Sequence, residues 1–201
     1  MTLGNGILDR IGVQPTERGL FAWAVLCLLM IGAAGFGLMN ASETLFLKRV
    51  GVERIPLVLL ASSGLLVLTT AGVGLVASQD PPRSLPWILC VVGLAQLPFV
   101  FLSGSQSSLV LGAFVLVSRQ VLAVCLLAFW VAMGTLVPTR RAKHLFAPLA
   151  AGITIGGILG SFGAEPTARV VGVHGLVAIC GFTLVVAAIT ARRLRASGTR
   201  R

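Results

Sequence analysis

The chain has 201 residues, 56% of them hydrophobic and 11% charged, with a formal net charge of +10. Its apolar residues run in long unbroken stretches joined by short loops, which leaves no room for a soluble domain. The positive charges are spread over the termini and loops that flank those stretches, as orientation in a bilayer and contact with anionic headgroups require. No zinc-finger spacing, glycine-rich RNA motif or basic helix accompanies them, so the charge is not a nucleic-acid footprint.

Six apolar stretches of membrane-spanning length occupy residues 19–39, 57–77, 86–103, 109–137, 145–164 and 170–191. A helix needs about 20 mainly apolar residues to cross the hydrocarbon core. Lipid offers the backbone no hydrogen-bond partner, so a span is a helix or part of a closed barrel. These runs do not alternate as barrel strands do. The expected fold is therefore all-α: a polytopic bundle of six transmembrane helices over 19–191, between an N-terminal segment (1–18) and a basic tail (192–201).

The first run, from Gly19 to Met39, follows Arg10 and Arg18 and superficially matches a signal peptide. It is longer than a signal core and five further runs follow, so it reads as the first span. Six spans put both ends on one side. That side carries Arg10, Arg18, Arg83, Arg140, Arg141, Lys143, Arg192, Arg193, Arg195, Arg200 and Arg201, eleven in all, against four (Lys48, Arg49, Arg54, Arg169) on the other. The positive-inside bias places both termini in the cytoplasm. Trp23, Trp87 and Trp130 fall towards the same ends, as an interfacial belt does.

Few polar groups interrupt the spans. Arg119 sits ten residues into the fourth, roughly 15 Å from its outer end at the helical rise. A charge at that depth faces a cavity, a carboxylate or a substrate path, unless it snorkels or the span starts nearer Gln120. Gln120, Gln96 in the third span and Asn40 at the end of the first are further substrate-path candidates, or else glue between helices. Glu43, just past the first span, is the nearest counter-charge in sequence.

The fifth span repeats small residues every four positions: Gly152, Gly156, Gly160 and Ala164, with Gly157 and Gly163 widening the stripe. Overlapping GxxxG motifs let a neighbouring backbone approach closely, either as static packing or as a seam along which another bundle rocks.

Catalytic signatures are missing. There is no hydrolase elbow, P-loop or HExxH, and none of the six acids (Asp9, Glu17, Glu43, Glu53, Asp80, Glu165) pairs with another at a spacing suited to acid–base work. Cys27, Cys90, Cys125 and Cys180 each lie in an apolar span without a CxxC pair and read as small hydrophobes. His144 and His174 are isolated. The sequence thus points to no enzyme, no metal and no cofactor.

The 4–5 connection reads Thr139-Arg140-Arg141-Ala142-Lys143-His144-Leu145-Phe146, then Pro148-Leu149 and a glycine-rich helix from Gly152 to Gly160. It resembles the basic loop and following helix of the bacterial nucleotide transporter family, the ATP/ADP-translocase-like members of the major facilitator superfamily. Ser42 to Gly51 with Ile55-Pro56, and Phe129-Trp130, are similar to the same family's first hairpin and fourth helix. The likeness covers the N-terminal six-helix half. It implies a major-facilitator-type half bundle, a small anionic solute such as a nucleotide, and the cytoplasmic loop motif Arg140, Arg141 and Lys143. In that fold substrate binds between two halves. One half has one wall of a pathway and needs a second: a homodimer, or another six-helix half. The alternatives are a membrane anchor or assembly module that uses the glycine seam as its contact surface, or a truncated gene product whose arginine-rich tail is a linker.

Overall fold

The computed structural model describes residues 18–77, 80–105, 107–137 and 139–198, with the side chains of 145–196 in the last of these. The segments 1–17 and 199–201, and the side chains of Arg140, Arg141 and Lys143, lie outside the described residues. Every regular element among the described residues is helical. Helix α1 is Arg18–Arg49, α2 Ile55–Ala77, α3 Pro81–Ala95, α4 Leu97–Leu102, α5 Ser108–Leu136 and α6 Thr139–Gly198. A 3-10 turn, Val52–Arg54, links α1 to α2.

Helix α1 extends well beyond the expected span. It contains no proline, and its 32 residues rise about 48 Å, more than the roughly 30 Å hydrocarbon core. Asn40, Glu43 and Lys48 are therefore helical, not loop, residues. Lys48 and Arg49 occupy the last turn, where cations complement the helix dipole. The helix ends at Gly51, whose φ of 95° suits a residue without a Cβ.

Helices α3 and α4 form one apolar run, Pro81–Leu102, broken at Gln96. Pro98 brings no backbone N–H to the ladder, and the Gln96 N–H turns to the Gly93 carbonyl instead. Pro81 and Pro82 begin α3, where a missing N–H costs nothing.

Among the described residues five helices are long and apolar enough to cross a membrane, where the sequence predicts six spans. The stretches at 145–164 and 170–191 lie on a single helix, α6. It is interrupted only at Gly172, with φ 74° and ψ 170°. A straight helix of 60 residues would extend about 90 Å. This one does not stay straight. Before Gly172 it runs parallel to α1: Gly152 faces Val25, Gly156 faces Leu29 and Gly160 faces Ala33. After Gly172 it runs antiparallel to α1: Cys180 lies at Gly37, and the Ala187 carbonyl lies at the Cys27 thiol. The chain reverses at a glycine because side chains rarely adopt a positive φ.

Helix α1 is the central post, enclosed by α5 and both arms of α6. Leu28, Ile31 and Leu38 on it are fully buried, as are Phe114 and Phe129 on α5. Helix α2 is peripheral. It packs mainly on α5 and leaves Leu57, Leu60, Val67, Leu68 and Leu75 at least two-thirds exposed. Such a face is ordinary against lipid and untenable in water. Of the tryptophans, Trp87 is exposed, whereas Trp130 packs against Phe129 and Phe146 at ring separations of 5.4 and 5.3 Å.

Candidate functional site: polar clusters in an apolar bundle

Arg119 and Gln120 are neighbours on α5 and point to different helices. Arg119 Nη2 donates to Glu43 Oε1 at 2.6 Å, joining α5 to α1. Both side chains are about one-third exposed. They border a cavity of about 60 Å³ with Phe46, Leu47, Ile55, Val58, Leu59 and Val115. That volume holds a few waters and no organic solute. The Arg119 Nε is buried without a hydrogen-bond partner.

Gln120 is 7% exposed and clamps α5 to α2. Its Nε2 donates to the Ser62 carbonyl at 3.0 Å, and Thr69 Oγ1 donates to its Oε1 at 2.9 Å. Ser62 and Thr69 are seven residues apart, two turns of α2, and so share one face. The side-chain amide is satisfied at both ends and acts as interhelical glue.

Gln96 is 1% exposed, and neither its Nε2 nor its Oε1 has a partner. It lies at the α3–α4 break beside Gly181 of α6. With Gln120 and Thr69 it borders a groove of about 580 Å³ between α2, α3 and α5, whose other walls are mostly valines.

Asn40 stands apart from these. It lines a cleft of about 670 Å³ between the C-terminal half of α1 and both arms of α6. Asn40, Thr44 and Lys48 come from α1; Ser161, Glu165 and Arg169 come from the first arm of α6. Each set is spaced i, i+4, i+8, so each forms one ladder along one helix face. The floor is Ala41, Leu45, Ala164, Ala168, Val173 and Leu176. Arg169 Nη2 donates to Glu165 Oε1 at 2.5 Å. Of the five residues the sequence proposes for a substrate path, Glu43 and Arg119 meet, Gln96 and Gln120 share the apolar groove, and Asn40 lies in the cleft. They do not converge on one cavity. The sequence reading missed Thr44, Lys48, Ser161, Glu165 and Arg169, although their i, i+4, i+8 repeats were there to be read.

The glycine stripe is spent within the chain. A Cβ at Gly156 or Gly160 would collide with the Leu29 or Ala33 carbonyl oxygen of α1, and one at Gly152 would lie 3.2 Å from the Val25 oxygen. Gly32 reciprocates: a Cβ there would lie 2.6 Å from the Ile153 oxygen. Gly163 has nothing within 4 Å and is not part of the contact.

A Ser–His pair lies beyond the sequence candidates. His174 Nδ1 is 2.5 Å from Ser103 Oγ and 2.6 Å from the Val100 carbonyl. The carbonyl can only accept, so Nδ1 carries the proton and cannot serve as a base for the hydroxyl. Arg49 Nη1 donates to the Ser103 and Ser105 carbonyls at 3.0 and 2.7 Å. The cluster straps the α4–α5 loop to α1 and α6. No group of three His, Cys, Asp or Glu side chains suited to a metal occurs among the described residues. No family model, no curated protein and no solved structure matches the chain.

Proposed function

We propose that this chain is a transporter-like integral membrane protein of the bacterial inner membrane. In this reading it crosses the bilayer six times, with both termini cytoplasmic. It supplies one wall of a solute pathway, as half of a major-facilitator-type transporter does. It moves its solute and does not transform it. A second bundle, either another copy or a separate six-helix half, supplies the other wall. The antiparallel arms of α6 support the six-span count: each arm, 145–171 and 173–196, exceeds the roughly 20 residues a span needs.

The observation that carries the reading is the cleft. Two polar ladders face each other on apolar helices, and polar groups are costly in hydrocarbon unless water or a ligand fills the space between them. Uptake of labelled small anions, nucleotides among them, by vesicles containing the protein tests it. Accumulation above protein-free vesicles, abolished by filling the cleft with Ala168→Phe, is the expected result. No accumulation by the chain alone or with a candidate second bundle would overturn it.

The Arg119–Glu43 pair favours a second reading, a membrane anchor or assembly module. A charge already neutralised by a local acid has no need of a solute. The glycine seam is not its contact surface, because α1 already occupies it.

A further inference from the structure

The cleft has a charge pattern as well as a shape. We propose that it is a binding site for an oxyanion, a phosphate or carboxylate group held between Lys48 of α1 and Arg169 of α6. The inference rests on the transporter-like reading and names the chemistry of its site.

The shape comes from the seam below. Helices packed through GxxxG motifs cross at about 40°, so they diverge on either side of the contact. Helix α1 and the first arm of α6 touch backbone to backbone from Gly152 to Gly160. Beyond Gly160 the small-residue repeat continues as Ala164 and Ala168, whose methyl groups leave room for the cleft they line. The ladders line the gap over eight residues, about 12 Å at the helical rise. The second arm closes the back of the cleft with Val173 and Leu176.

The charge is asymmetric. Two cations, Lys48 and Arg169, and one acid, Glu165, border the cleft. Glu165 is already bonded to Arg169, through one of the five guanidinium N–H groups. Lys48 makes no ion pair among the described residues, and Glu43, its nearest acid on α1, is turned to Arg119. The cleft therefore carries one uncompensated positive charge beside an apolar floor. A charge there attracts an anion more strongly than it would in bulk water. Asn40, Thr44 and Ser161 offer neutral donors further in. The oxyanion belongs either to a free solute or to a phospholipid headgroup of the adjoining leaflet; the cleft recognises what the two share.

The test is binding, read separately from transport. Purified protein in a neutral detergent is titrated with inorganic phosphate by calorimetry. In parallel, phosphatidylglycerol retention against phosphatidylcholine is read by native mass spectrometry. Wild type should bind at least one probe. Phosphate identifies a free solute, and phosphatidylglycerol alone identifies a headgroup. Lys48→Gln and Arg169→Gln should each weaken binding at least tenfold, while Lys48→Arg retains it and Arg54→Gln, outside the cleft, leaves it unchanged. Ala168→Phe should block the site with both cations in place, at an unchanged melting temperature. Binding of neither probe by wild type, or wild-type binding by Lys48→Gln or Ala168→Phe, would overturn the proposal. Absent uptake with intact Lys48-dependent binding removes the transport reading and leaves the site. Uptake that survives Lys48→Gln, with the binding of both probes also unchanged by it, removes the site and leaves transport.

Discussion

Arg119 on α5 and Glu43 on α1 are 76 residues apart in sequence and joined by a 2.6 Å hydrogen-bonded ion pair. The pair turns the costliest side chain in the bundle into a tie between its two most enclosed helices. It also removes Arg119 from the list of cations free to meet a solute.

The tie makes a stability prediction. Arg119→Leu leaves Glu43 without its partner. Breaking a fully buried pair costs about 3–5 kcal/mol; with both side chains one-third exposed, a loss of about 1–3 kcal/mol is expected. Arg119→Leu with Glu43→Leu should recover most of that loss, since neither charge then remains to be solvated. Denaturant or thermal melting in detergent measures both. A double variant no more stable than the single one would show that the pair is not the reason for the loss.

The seam predicts a contrast between two glycines three residues apart. Gly160→Leu should lower the melting temperature sharply, because its side chain meets the Ala33 backbone. Overpacking costs about 1–3 kcal/mol, and a backbone cannot step aside as a side chain can. Gly163→Leu, with open space around it, should melt like wild type. Equal melting of the two would move the α1–α6 contact elsewhere.

Two glutamines should respond oppositely to leucine. Gln120→Leu removes two hydrogen bonds between α5 and α2 and should cost about 0.6–1.7 kcal/mol, the range for interhelical hydrogen bonds in membranes. Gln96→Leu removes an amide that has no partner and should be neutral or stabilising. Urea or heat unfolding of each in the same detergent checks the order, and a larger loss at Gln96 would mean that its amide is used.

Gly172 should tolerate no side chain. At φ 74° and ψ 170°, Gly172→Ala strains the backbone by about 1–3 kcal/mol although no neighbour lies within 4 Å of its Cβ position. The loss therefore reports conformation, not crowding. Melting of Gly172→Ala alongside Gly163→Ala separates the two, and equal stability would remove Gly172 as the turning point.

The reversal at Gly172 also makes a topology prediction. With six spans, reporters active only in the cytoplasm should light at both termini, and a cysteine placed at Val170 should be labelled from the opposite side. A C-terminus on the opposite side from the N-terminus would mean that α6 crosses once.

Much of this protein is legible in its sequence. Apolar run length dictates helices, because a backbone in lipid has to bond within its own segment. The four-residue glycine repeat marks a close contact through a local steric rule, whereas the helix break beside Pro98 and the reversal at Gly172 fall inside stretches that read as unbroken spans, 86–103 and 170–191. The depth of Arg119 marks it as a charge in need of a partner.

Which residues meet depends on how all the helices pack. Glu43, read as a loop residue, is helical because nothing in Asn40–Arg49 stops α1, and that helical turn brings it to Arg119. The glycine face could have met another chain; it meets α1, because Gly32 offers a matching gap. The facing ladders of the cleft are separated by more than a hundred residues, and they oppose each other because α1 packs against the first arm of α6. Periodicity fixes which side of a helix a residue is on, whereas the neighbour that side receives depends on packing among all the helices at once.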